Sequence, residues 1–205
     1  MSTIMNLIDN FVSVRSGWKV HHVMSLSISF APYRPMQGSS YIPTPSELLR
    51  KQAVLNIQNF DDNYCKLYAI LAHIHPLTRE DHQSRPQKYM KFMSELNYEG
   101  LEFSLMITDV PKLEKMNPDI SINVLFYENR NSFPLYNSSH RNRKHHVNLL
   151  LIMDEKSGTS HYLLIRSLSR LVGDRTNHKA ATRVCPYRLY CFSKEDFFEI
   201  THTRM

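Results

Sequence analysis

Cys65 and His161 are the side chains in this sequence with the clearest capacity for covalent chemistry. A thiolate attacks a carbonyl carbon, and a neutral imidazole takes the thiol proton beforehand. Cys65 falls at the predicted start of a helix, where unpaired backbone amides favour a thiolate. Gln58, seven residues earlier, is a candidate donor to an oxyanion, and Asp62, three residues earlier, a candidate brace for the loop whose amides would form that hole. His161 opens an apolar strand just after a turn, which suits a rigid imidazole facing a cleft. Cysteine first and histidine roughly a hundred residues later is the order of papain-like cysteine peptidases. On this reading the Cys65 sulfur sits within a few ångströms of a His161 ring nitrogen. The plainer reading makes Cys65 a small core residue and His161 a satisfied strand residue.

The elements that must position these residues follow from periodicity. Met24, Leu26, Ile28 and Phe30 alternate with serines, the mark of a half-buried strand. Five of the next fifteen residues, through Pro45, are proline or glycine, so 1–45 reads as a strand and an extended connector. A short helix starts at Ser46. Tyr64, Leu67, Tyr68, Leu71 and Ile74 lie on one face of a helix within Val54–Pro76, with Asp61, Asp62 and Asn63 where a cap belongs. Ala69 and Ala72 let that helix approach a sheet. A second helix spans Gln87–Leu96. Leu101–Ile107 reads as a strand, and Val110-Pro111 begins a helix that stops at Asn117-Pro118. Strands follow at Ile120–Tyr127, Val147–Met153 and His161–Ile165, with a turn around Ser157-Gly158. Helices followed by strands give an α+β domain with a largely antiparallel sheet over 46–172. The polar, basic stretch 173–205 reads as a separate small unit.

Composition bounds the class. The 205 residues are 42% hydrophobic and 21% charged, which excludes collagen-like and disordered chains. Three cysteines in this length do not build a secreted disulfide framework, so a reducing cytoplasmic or nuclear compartment is expected. No stretch has the length of a membrane span, and no membrane partner is expected. Lys plus Arg number 25 against 19 Asp plus Glu, a formal net charge of +6. That excess is compatible with nucleic acid without demonstrating it. The densest basic run is Arg141–His146, a loop that is either solvated or a phosphate contact.

Asp62-Asn63-Tyr64-Cys65-Lys66-Leu67-Tyr68-Ala69 resembles the nucleophile segment of ovarian-tumour (OTU) deubiquitinases, and His161-Tyr162 resembles the pair that carries their base. Two positions depart from that pattern. Lys66 replaces an apolar residue, and Leu163 stands where an Asn or Asp often orients the imidazole. A cation beside the thiol favours the thiolate, whereas loss of the orienting group weakens the proton shuttle.

A second resemblance runs through most of the chain. Ser16-Gly17-Trp18, Gly38–Ile42, Asn56–Asn59, Glu95–Phe103, Glu114–Pro118, Val147–Ile152, His161-Tyr162 and Leu168–Leu171 stand in the order of similar blocks upstream of the protein-primed family-B polymerase of Polinton (Maverick) elements. This resemblance implies an OTU-like fold followed by a zinc finger. The finger's ligands are largely replaced. Cys185 matches the first, but Arg188 stands at the second, Thr201 at the histidine with His202 one place late, and Met205 at the last. Cys191 and His202 are substitute ligands with poor spacing, so zinc is not expected to be retained. A capping box, Ser193–Asp196, is expected to keep the tail's helix. The polymerase's Asp-Thr-Asp triplet is absent from the sequence. The expected function is an OTU-like cysteine peptidase-like module of a mobile-element or viral replication protein, acting, where active, on a ubiquitin-like or polyprotein substrate, with weak or no turnover. The alternative is a non-catalytic replication accessory module that binds nucleic acid or a DNA polymerase.

Overall fold

The apolar run after His145 forms strand β4 (His145–Asp154), and it is central because both of its faces are covered. Val147, Leu149 and Leu151 point into one core, and Leu150 and Ile152 into another. The computed structural model describes residues 41–101, 106–154, 156–172, 183–184 and 191–192. They contain a five-stranded sheet in the order β1-β5-β4-β2-β3, made of β1 (Val54–Leu55), β2 (Ile120–Glu128), β3 (Asn131–Tyr136), β4 and β5 (Thr159–Ile165). β2 pairs parallel with β4, and the other pairings are antiparallel. The α+β class and mostly antiparallel open sheet therefore agree with expectation.

Helix α2 (Cys65–Ile74) lies across β4 and β5. Leu67, Tyr68, Ile70 and Leu71 enter the first core with Tyr162 and Leu164, and Ala69 and Ala72 are buried at the contact. The second core fills the opposite sheet face. There Leu48 of α1 (Ser46–Lys51) and Leu171 and Val172 of α5 (Leu168–Val172) meet Leu125, Leu150, Leu163 and Ile165. β4 turns into β5 through Gly158, whose φ of +69° suits a residue without a Cβ.

Several elements differ from their sequence reading. Val54-Leu55 is a strand, not the start of the helix, because it pairs with Ile165 and Leu164. The helix at Gln87 is a single turn, α3 (Gln87–Met90), followed by a 3₁₀ turn at Met93–Glu95. Ile107 belongs to a 3₁₀ turn that leads into α4 (Val110–Met116), while most of the strand expected there lies outside the described residues. β3 carries no strand periodicity in the sequence. It is an edge strand whose register with β2 shifts beside Pro134, the kind of position where a strand proline is found.

The strand at 24–30, the connector through residue 40, Cys185, Arg188 and 193–205 also lie outside the described residues. Of the tail, β6 (Arg183–Val184) and β7 (Cys191–Phe192) pair antiparallel, and Val184 packs against the second core. No helix among the described residues is long and apolar enough to cross a membrane.

Candidate functional site

The loop between β1 and α2 is built around amide and carboxylate side chains. Asp62 accepts the Tyr64 backbone N–H at 2.7 Å and the Tyr68 hydroxyl at 2.9 Å. Both bonds tie Asp62, three residues before the first helical residue, to the start of the helix. Asn59 is buried and donates its Nδ2 to the Asp62 carbonyl at 2.7 Å. Gln58 donates its backbone N–H to the Ser84 carbonyl at 2.8 Å, and its side chain is exposed. Asp62 thus holds the loop to the helix, whereas the Gln58 side chain makes no hydrogen bond among the described residues.

Cys65 is the first residue of α2 and only 2% exposed. Lys66 beside it is equally buried. Its Nζ donates to the Met106 carbonyl at 3.0 Å and lies 4.4 Å from the centre of the Tyr162 ring. Burial pushes its pKa down to about 7, against the opposing pull of Cys65 and Asp109. Above neutrality the ammonium charge expected to favour a thiolate is largely lost.

His161 has no exposed surface, and its Nε2 lies 2.8 Å from Asn56 Oδ1. The Asn56 amide is fixed independently, since its Nδ2 donates to the Ile42 carbonyl at 2.8 Å and to Thr44 Oγ1 at 2.9 Å. Asn56 Oδ1 is therefore the acceptor, and Nε2 of the imidazole carries the proton. The lone pair then resides on Nδ1, which is buried and has no hydrogen-bond partner among the described residues. Burial holds the ring neutral, with a pKa pushed down to about 4, slightly opposed by the Ile57 backbone. Tyr41 meets the ring edge-on at 5.8 Å and also contacts exposed Phe60.

Asn56 thus performs the orienting role that Leu163 cannot, which corrects the expectation of an unoriented imidazole. Sequence reasoning included Asn56 in a matching block but gave it no chemical role. The useful signal was its position just beyond a strand that pairs with the one carrying His161.

The expected thiol–imidazole hydrogen bond is not made. Alternation along β5 gives His161 the parity of Leu163 and Ile165, which face the second core, whereas Cys65 and Tyr162 belong to the first. The structure brings together His161 and Asn56, and separately Cys65, Lys66 and Tyr162. Among the described residues no hydrogen bond joins His161 to Cys65.

Among the described residues no cluster of three or more His, Cys, Asp or Glu side chains could hold a metal ion. Cys185 and His202 lie outside those residues, and only the backbone of Cys191 is described. The basic run is partly internal. Arg143 Nη1 donates to the carbonyls of Glu114, Asn117 and Ile120, closing the end of α4, and His146 bonds Ser121 Oγ and the Arg141 carbonyl. Comparison with protein-family models, curated proteins and solved structures finds no match for this chain.

Proposed function

We propose that this chain is a hydrolytically silent, OTU-like cysteine-peptidase-type module of a mobile-element or viral replication protein. The family assignment rests on the sequence resemblance. One structural observation supports the proposed lack of turnover: Cys65 and His161 are both buried, and no hydrogen bond runs between them among the described residues. A nucleophile has to be reached by its substrate, and its base has to meet it. His161 is well oriented by Asn56, but orientation alone moves no proton. The nucleic-acid alternative draws less support, because Arg143 and His146 of the basic run are already bonded within the fold.

The test pairs hydrolysis with labelling. A ubiquitin-type fluorogenic substrate is expected to be cleaved at background rate, and a ubiquitin probe carrying a thiol-reactive electrophile is expected to leave native Cys65 unmodified. Turnover abolished by both Cys65→Ala and His161→Ala would overturn the proposal and make the chain a working peptidase.

A further inference from the structure

A groove of about 660 Å³ lies between the turn at 93–99 and the turn at 116–120. Its two sides are fastened by buried Asn117. That side chain accepts the Asn97 backbone N–H at 2.8 Å and returns a bond to the Asn97 carbonyl at 2.7 Å. This mimics a strand pair between loops, so the groove is held open by a polar clasp. The size falls within the range of pre-formed ligand sites.

The lining has an unusual balance for this chain. Met93, Tyr98 and Met116 give it apolar walls, Glu95, Glu99 and Asp119 supply carboxylates, and no Lys or Arg is among its described lining residues, although Arg143 Nη1 bonds the carbonyls of Asn117 and Ile120. The whole sequence carries the opposite excess, 25 Lys plus Arg against 19 Asp plus Glu. Glu95 is engaged with His75 at 2.7 Å, whereas Glu99 and Asp119 make no ion pair among the described residues. An occupant complementary to this surface has a long apolar stem and a cationic head. Arginine fits both demands, since its methylenes lie along methionine and its guanidinium meets carboxylates and the face of an aromatic ring.

We propose that this groove docks a basic, arginine-bearing peptide segment of a partner protein. The inference does not depend on the peptidase reading, since it uses neither Cys65 nor His161, although Tyr98 meets the ring of Tyr64, beside Cys65, at 6.2 Å.

The experiment is fluorescence anisotropy with the full chain and a fluorescein-labelled hexapeptide, Ala-Arg-Ala-Ala-Arg-Ala. The analogue with both arginines replaced by glutamate is the comparison. Binding of the arginine peptide with Kd near ~10⁻⁴ M is expected, with none for the acidic analogue. The double variant Glu99→Gln/Asp119→Asn is expected to weaken binding by about tenfold, while Glu80→Gln, an exposed acid outside the groove, leaves it unchanged. All three positions are exposed, and circular dichroism checks that each variant folds. No binding at millimolar protein, equal binding of the acidic analogue, or equal loss with Glu80→Gln would each overturn the proposal.

Discussion

Replacing Lys66 with methionine should remove a defined slope from the pH dependence of stability. Lys66 Nζ is enclosed by the Met106 carbonyl and the Tyr162 ring, and burial lowers its pKa from 10.5 to about 7. Between those values the folded chain carries the neutral amine while the unfolded chain still binds the proton. Stability therefore rises with pH across this window, by at most about 1.4 kcal/mol per pH unit. From pH 7.5 to 9.5 the gain is at most about 2.5 kcal/mol, or roughly 5–10 °C in melting temperature for a domain of this size. The ramp ends near pH 10. There the tyrosines of the unfolded chain ionise, while Tyr68 and Tyr136, whose pKa values are raised by burial and by Asp62 and Glu114, stay protonated in the fold. The Lys66→Met variant keeps the stem volume and removes the titration, at a roughly constant cost of about 1 kcal/mol for the donor lost to the Met106 carbonyl. Thermal melts at half-unit pH intervals, with the variant's curve subtracted, isolate the Lys66 contribution. Parallel curves for the two proteins would refute a buried lysine with a suppressed charge.

Two further outcomes follow from buried polar groups. His161 and His73 both have pKa values lowered by burial, so the unfolded chain binds protons that the fold refuses, and stability should fall as pH drops below 6.5 toward 4; His161→Phe should flatten part of that loss in urea titrations. Glu114 of α4 is buried and accepts the Ile122 N–H at 2.7 Å and the Tyr136 hydroxyl at 2.6 Å, so it serves a β2 N–H at a position before the pairing with β3 begins at Val124. Glu114→Ala should cost about 3 kcal/mol in denaturant unfolding, with Tyr136→Phe costing less because it orphans only one carboxylate lone pair.

The parts of the fold legible in sequence were those whose pattern is decided locally. β4 reads as central because its apolar run is continuous, and α4 is bounded by Pro111 at its start and Asn117-Pro118 at its end. β1 was hidden inside a helical pattern. Two residues carry no periodicity of their own, and they become a strand only because β5, more than a hundred positions away, offers them a ladder. β3 was hidden by Pro134 and by polar neighbours, and it exists through pairing with β2. The candidate site divides the same way. Cys65 at a helix start is a local property, and so is the bracing by Asp62. Asn56 at His161 is a property of strand register: continuing the pairing of Leu55 with Leu164 carries Asn56 toward the end of β5 that holds the imidazole.

The burial that defines His161 also limits it as a base. A ring fixed by Asn56, with its lone pair on Nδ1, is in the correct form to accept a proton. Accepting it creates an imidazolium where the pKa is about 4. Transfer from a thiol of ordinary pKa, about 8.5, is uphill by 4 to 5 pK units, or about 6 kcal/mol. The attraction of a thiolate at contact distance, about 4 kcal/mol at an effective dielectric of 20, does not cover that cost, and the thiol–imidazole hydrogen bond is not made. Moving Cys65 into reach would consequently be insufficient by itself. The ring would also have to gain solvent or a nearby carboxylate before the ion pair became the stable form. Asn56, being neutral, orients the imidazole without stabilising its charge, so Asn56→Asp is the substitution that should raise the His161 pKa. An NMR titration of the His161 ring in that variant reads the effect directly, and an unchanged pKa would show that Asn56 does not set the electrostatics of this base.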